Sequence, residues 1–428
     1  MSFLHANRSS HCPILPVLAL VILFGHSVVY AEDSASAPKK ENPFILVMEG
    51  EALGGYSDIE GRDGVVASID NWLVSPTLKL SDNIHWINLY NGSYNRSAQV
   101  VAQEEGGRQT QSTQSHALTT ALKWNVNDTW ALRPLFFTDW VFVNETEDES
   151  FGNGLYDYRD IGGGLESSWV LSNNKESREE TRLGFRYLDR TYPNYQSLLS
   201  LFNPNGTQEV NEKDLRGYKA NLSYDHRSKS GWSRGLEIVS FFKDYTDKRT
   251  IDFNGIRSAS KTREDFAQYV NGYVSHPLTP GFLFRLDGQF TLNDSNLDFY
   301  DTHNTASFAD DDFIANYFDT TSFLLRPGLT YAKRLAPGKN LTITVDYAFR
   351  ALLYPDRKTQ NSLGVYRNEK ERDLTHTFSG KVSVPLTNQF SWVNFFSYTI
   401  ADSNQEFESF YLYNYNLWTA ATGISFKY

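Results

Sequence analysis

The stretch Phe282-Leu283-Phe284-Arg285-Leu286-Asp287-Gly288-Gln289-Phe290-Thr291-Leu292 decides the fold. In an extended chain successive side chains point to opposite faces. Phe282, Phe284, Leu286, Gly288, Phe290 and Leu292 then share one face, and Leu283, Arg285, Asp287, Gln289 and Thr291 the other. One face is apolar and the other polar, the pattern of a strand with oil on one side and water on the other.

The pattern recurs along the chain. Leu341, Ile343, Val345, Tyr347 and Phe349 oppose Thr342, Thr344, Asp346, Ala348 and Arg350. Leu183, Phe185 and Tyr187 oppose Arg182, Gly184, Arg186 and Arg190. Tyr218, Ala220, Leu222 and Tyr224 oppose Gly217, Lys219, Asn221, Ser223 and Asp225. Phe323, Leu325, Leu329 and Tyr331 oppose Arg326, Gly328 and Thr330. Between Phe44 and Tyr428 about sixteen such strands can be placed, each near the length that crosses a tilted bilayer. Short turn-forming connections such as 81–83, 277–281 and 387–389 alternate with longer polar ones such as 95–112, 246–263 and 355–373. These features predict an all-β protein: an antiparallel up-and-down transmembrane β-barrel, with short periplasmic turns, long extracellular loops and both chain ends on the short-turn side. Phe313–Leu335 and Ser409–Tyr428 are expected as strands long enough to project beyond the membrane. The alternation leaves two strands, Trp232–Tyr245 and Phe390–Ala401, with aromatics on both faces.

Ahead of the strands, Met1–Ala31 reads as a secretory signal. Arg8 and His11 precede an apolar run from Pro13 to Phe24, and Val29-Tyr30-Ala31 suits cleavage. Glu32–Asn42 is a small polar segment, expected as a flexible periplasmic tail, so the barrel is expected over residues 43–428. The only cysteine, Cys12, lies within the signal, which leaves a mature chain without disulfides, cysteine metal sites or a cysteine nucleophile. Aromatic residues make up 15% of the chain, while mean hydropathy is −0.46. Strands that expose only alternate residues to lipid, with aromatic girdles and a wet interior, give this combination. The net charge of −11 argues against a nucleic-acid partner.

On the lipid face, Lys or Arg at the bilayer midplane costs about 2–4 kcal/mol. Charged residues within the two-faced strands are therefore expected to line the lumen. The basic set is Arg133, Arg182, Arg186, Arg190, Lys219, Arg285, Arg326, Arg350 and Lys381; the acidic set is Asp139, Asp225, Asp287 and Asp346. By this reading the lumen is net basic inside an acidic protein, and the excess acid sits in loops, at Glu145, Glu147, Asp148 and Glu149 and at Asp310, Asp311 and Asp312. A basic lumen would favour anions. The competing interpretation is that these charges pair across neighbouring strands and brace the wall.

His85, His116, His226, His276, His303 and His376 show no zinc-ligand spacing, and no cofactor or catalytic constellation stands out, so the chain is read as a non-enzyme without a metal. The acidic run near His303 lacks the spacing of a dedicated calcium loop. Gly162-Gly163-Gly164 falls inside a strand, where glycines relieve crowding or kink a wall.

The end of the chain carries a further pattern. Trp418, Ala420, Thr422, Ile424, Phe426 and Tyr428 share one face, and Tyr428 is the last residue. This resembles the C-terminal assembly signal of Gram-negative outer-membrane β-barrels, with Ile424, Phe426 and Tyr428 as its matching residues and polar Thr422 as a departure. The resemblance implies residence in the outer membrane, contact with its lipids and lipopolysaccharide, and delivery to the barrel-assembly machinery. The first functional expectation is a porin-like channel for small hydrophilic solutes, anionic ones among them, narrowed or plugged by the apolar loop Thr191–Lys213. A second is an export conduit for a polymer such as an acidic polysaccharide, working with a periplasmic partner. A third is a structural or surface-recognition barrel.

Overall fold

The computed structural model describes residues 43–428 except 62–63, 99–109, 145–148, 175, 196–210, 302–311 and 408–411. The expected signal and tail, most of the plug loop, His303, Asp310 and Asp311 lie outside the described residues. The first eight strands are β1 (Phe44–Ile59), β2 (Val65–Lys79), β3 (Ile84–Ala98), β4 (Thr110–Asn125), β5 (Trp130–Asn144), β6 (Tyr158–Asn173), β7 (Ser177–Thr191) and β8 (Leu215–Ser228). They are followed by β9 (Ser233–Ile251), β10 (Arg257–Thr279), β11 (Phe282–Ser295) and the short β12 (Phe299–Asp301) and β13 (Asp312–Ile314). The last are β14 (Thr320–Ala336), β15 (Lys339–Gln360), β16 (Tyr366–Pro385), β17 (Phe390–Ser403) and β18 (Tyr415–Lys427). All but β12 and β13 form one closed antiparallel barrel, each pairing with its chain neighbours, and β12 and β13 pair with each other.

Closure joins the last strand to the first. β18 runs against β1 from Glu49↔Lys427 to Ile59↔Leu417. The Met48 N–H donates to the Tyr428 carbonyl at 3.0 Å, and the Tyr428 N–H to the Met48 carbonyl at 2.7 Å. Closure removes the unpaired edges that an open sheet would expose to lipid.

One end of the barrel carries tight turns capped by short polar side chains. Asn127 Oδ1 accepts from the Thr129 and Trp130 amides at 2.9 and 2.8 Å, and Asn174 Oδ1 from Glu176 and Ser177 at 2.8 and 2.9 Å. The opposite end differs from the sequence expectation in four places. Segments 246–263 and 355–373 are not long loops, and neither is 57–70, the stretch left between the expected strands Phe44–Tyr56 and Asn71–Leu80. The strands continue instead: β1 reaches Ile59 and β2 starts at Val65, and the other two pairs close through short tips at 252–256 and 361–365. These two tips are built alike. Asp252 Oδ1 accepts from the Asn254 and Ile256 amides, Asn361 Oδ1 accepts from the Leu363 and Val365 amides, and Gly255 and Gly364 take φ of 76° and 80°. These left-handed positions suit glycine. The expected long strand Phe313–Leu335 is broken: Asn316 takes φ 54°, its N–H donates to Asp298 Oδ1 at 2.9 Å, and a turn leads into β14. Asn tolerates this conformation through its short polar side chain.

The outer face is apolar. Phe185 is 56% exposed, Val345 51% and Phe378 50%. Trp86, Trp124, Trp232, Phe390, Trp392 and Tyr428 form an exposed aromatic band near the turn end. β17, ambiguous by sequence, turns Trp392, Phe396 and Ile400 outward and buries Val393 completely. Thr422 is accommodated on the outer face because the Trp392 Nε1–H donates to its Oγ1 at 2.9 Å and Asn394 Oδ1 lies 3.0 Å from it. The buried apolar clusters are inside, for example Leu53, Val393 and Ala421 with Ile69 and Phe395 against them.

Candidate functional site

A contact across the barrel wall identifies the inner face. Lys381 on β16 and Glu51 on β1 are separated by two intervening strands, yet Lys381 Nζ lies 2.6 Å from Glu51 Oε2. Such a contact can only be a chord through the interior. By strand alternation and register, Arg133, Arg182, Arg186, Arg190, Lys219, Arg285, Arg326, Arg350 and Lys381 all share this inner face, together with Asp139, Asp225, Asp287 and Asp346. Of the residues expected to form an assembly signal, Ile424 and Phe426 lie on the outer face of β18 and Tyr428 follows its last residue, with the Phe426 ring 5.1 Å from that of Phe390.

Most of the inner charges are paired. Arg133 Nη1 donates to Glu166 Oε1 at 2.9 Å, and Arg182 Nε to Glu180 Oε1 at 2.7 Å. Arg190 makes a two-pronged contact with Asp160 at 2.7 and 2.8 Å, and Arg263 with Asp265 at 2.8 Å for each prong. Arg285 pairs with Asp287 at 2.6 Å, Arg326 with Asp346, and the Tyr273 hydroxyl donates to Asp225 at 2.9 Å. The acidic partners Glu51, Asp160, Glu166 and Glu180, and the cations Lys123, Lys243 and Arg263, were missing from the sequence-based set. Glu51, Asp160 and Glu166 lie in β1 and β6, whose glycines blur the apolar alternation. With them included, bracing accounts for most of the apparent positive excess.

Lys123, Asp139 and Arg350 show no ion pair among the described residues, and three neighbouring cations over a glycine-lined recess on β5–β9 show none either. Along one row of the register, Leu135, Gly164, Arg186, Lys219 and Phe241 are successive neighbours. Along the next row run Phe137, Gly162, Leu188, Gly217 and Lys243. Among the described residues Arg186, Lys219 and Lys243 have no hydrogen-bonded anion, and Arg186 and Lys219 face each other directly. Like charges at such positions destabilise a sheet, so bracing does not explain them. Glycines flatten the wall beneath. A Cβ on Gly162 would sit 2.5 Å from Phe137 Cζ, one on Gly217 2.8 Å from Phe241 Cε2, and one on Gly164 2.9 Å from Arg186 Cγ. Larger residues there would push the rings and the guanidinium into the lumen. Phe137, Leu188 and Leu215 are buried against the wall, with Leu135, Phe241 and Tyr245 partly exposed around them. A hollow of about 550 Å³ on the lipid side of the same strands is lined by Phe185, Tyr218, Phe242 and Phe266 and also by Gly164, Arg186 and Lys219.

Beyond the last exposed apolar residue of β15, Leu353, a second polar cluster ties the loop end together. Arg357 stacks on the Tyr317 and Tyr354 rings at 4.1 and 3.8 Å and lies 3.5 Å from Glu371. Glu371 is 2% exposed, and burial pushes its carboxyl up to about 7 despite the opposing pull of the Arg357 guanidinium. The Tyr366 hydroxyl donates to Asp301 at 2.9 Å, and the Gln360 amide donates to Gln405 Oε1 at 2.8 Å.

Gly231-Trp232-Ser233-Arg234-Gly235 has the spacing of a hydrolase nucleophile motif, but it opens an antiparallel strand at a turn, with Ser233 paired to Arg227 and Ser275. A nucleophile elbow needs a strand-to-helix turn. Among the described residues no cluster of His, Cys, Asp or Glu is placed to hold a metal ion.

Closure, the apolar outer face, the aromatic band and the even strand number define a β-barrel of the Gram-negative outer membrane. The tight-turn end is accordingly periplasmic and the loop end extracellular. No protein-family model and no curated protein matches the sequence. Solved structures with a similar outline include OccAB1 of Acinetobacter baumannii, at 11% identity, with 90% of this chain and 96% of that one covered and a TM-score of 0.46. A bacterial polysaccharide outer-membrane secretin matches at 10% identity over 89% of this chain and 98% of its own, with a TM-score of 0.42. OmpT, an outer-membrane protein of Vibrio cholerae, matches at 9% identity over 91% and 99%, with a TM-score of 0.41.

Proposed function

We propose that the barrel is a diffusion channel for small hydrophilic solutes that favours anions. Barrels of this strand number enclose an aqueous interior unless a loop fills it. The observation that carries the preference is the group Arg186, Lys219 and Lys243, three neighbouring inner-wall cations without an ion pair among the described residues. Unmatched cations in a low-dielectric wall concentrate anions and repel cations. In this reading Ile424, Phe426 and Tyr428 serve delivery to the barrel-assembly machinery and take no part in conduction.

The test is the reversal potential of the purified barrel in a planar bilayer under a potassium chloride gradient. The wild type is expected to show chloride preference, and replacing Arg186, Lys219 and Lys243 together with alanine is expected to remove it. Replacing Arg182 with alanine should have a smaller effect, because removing it releases the anionic charge of Glu180 at the same time. A wild type that does not conduct, or that prefers potassium, would refute the proposal.

A further inference from the structure

The unmatched cations are not set in a uniformly polar wall. Leu135 and Phe241 flank them on the same register row, with Gly164, Arg186 and Lys219 between. Both apolar residues remain partly exposed, whereas Phe137, Leu188 and Leu215 behind them are buried. One side of Leu135 and of Phe241 packs on that cluster, the Lys243 ammonium lies 5.4 Å from the Phe241 ring, and the sides left exposed put apolar surface beside cations. A chloride ion would use the cations alone. A solute with a carboxylate and a compact apolar body would use both, with its carboxylate between Arg186 and Lys219 and its body over Phe241 or Leu135. Phe241 lies close over Gly217, where an added Cβ would meet its Cε2 at 2.8 Å, so the ring rests against the wall.

We propose that this recess is a binding subsite for small amphipathic carboxylates, with Arg186 and Lys219 holding the carboxylate and either Phe241 or Leu135 the apolar body. The proposal rests on the anion-favouring reading above and adds the chemical class of the preferred solute. Guanidinium groups suit carboxylates because their donors match both oxygens. The apolar contact supplies discrimination against carboxylates of equal charge that lack a body.

Benzoate, acetate and benzyl alcohol serve as probes, each titrated into chloride current through the wild-type barrel. Benzoate is expected to reduce the current with an affinity about tenfold above that of acetate, equivalent to about 1.4 kcal/mol. Benzyl alcohol, which keeps the ring but lacks the charge, is expected to act far more weakly than benzoate. Replacing Leu135 and Phe241 together with serine should bring benzoate down to the acetate level. Phe185→Ala on the lipid face should leave benzoate unchanged, and heat-modifiable gel migration reports whether each variant is folded. Equal action of benzoate and acetate on the wild type overturns the subsite. So does equal action of benzoate and benzyl alcohol. If the chloride preference measured in the same bilayers stands while benzoate and acetate act alike, only the subsite fails. If the preference itself is absent, the channel reading fails with it.

Discussion

Glu371 shows how far a single residue can depart from its sequence context. It lies within Arg367-Asn368-Glu369-Lys370-Glu371-Arg372-Asp373, a stretch polar on both faces that reads as a solvated loop. In the structure it is buried beside Arg357, because β15 and β16 continue past the membrane and bring the two together. Its carboxyl is pushed up to about 7, chiefly by burial. The folded loop end therefore holds this proton more tightly than an unfolded chain, whose glutamates titrate near about 4.3. The contribution to stability is full below the unfolded value and is lost as the pH rises through about 7. Amide hydrogen exchange, corrected for its intrinsic pH dependence, should show stronger protection of 354–360 and 366–373 at pH 6 than at pH 8.5. Glu371→Gln should abolish that difference. An equal difference in wild type and variant would place the pH dependence elsewhere. The inner-wall charges on cleanly alternating strands were readable from sequence. Their partners Asp160 and Glu166 were not, because the glycines of β6 remove the apolar side chains that mark a lipid face.

For individual elements, alternation specified strand existence and face far better than strand ends. The lipid-facing rows of β7, β8, β14 and β15 match the sequence reading because burial in lipid imposes a strict period of two. Above the membrane both faces meet water and the period disappears. The tips at 252–256 and 361–365 were therefore misplaced by sequence, although the same Asx-capped, glycine-containing turns end both hairpins. Gly162-Gly163-Gly164 was rightly suspected of relieving crowding, but which side chains fill the space is a tertiary fact. Gly162→Val should lower the guanidinium midpoint for unfolding markedly, because even its Cβ would meet Phe137 and the Tyr187 carbonyl. Gly380→Ala, with nothing within 4 Å of its added carbon, should stay within about 0.5 kcal/mol of the wild type. Similar midpoints for both variants would show that the glycines of β6 do not set the packing of the recess.

For the molecule as a whole, the fold follows from a solvent argument: lipid outside requires closure, and closure separates an apolar from a polar face. The sixteen barrel strands and their antiparallel order were legible in this way. The charge balance of the lumen was not, since it depends on pairs such as Lys381–Glu51 that meet across the interior. After pairing, the recess at Arg186, Lys219 and Lys243 holds the largest group of neighbouring inner-wall cations without an ion pair among the described residues, and that face is proposed to line the conducting path. The mature chain expected after the signal has no cysteine, so one introduced at position 219 can be modified alone. The most direct measurement is the current through the Lys219→Cys barrel while a membrane-impermeant, negatively charged sulfonate thiol reagent is added. The account predicts a stepwise fall in current and weaker chloride preference, with no change for Tyr218→Cys on the lipid face. Unchanged current at position 219, or an equal fall at position 218, would contradict it.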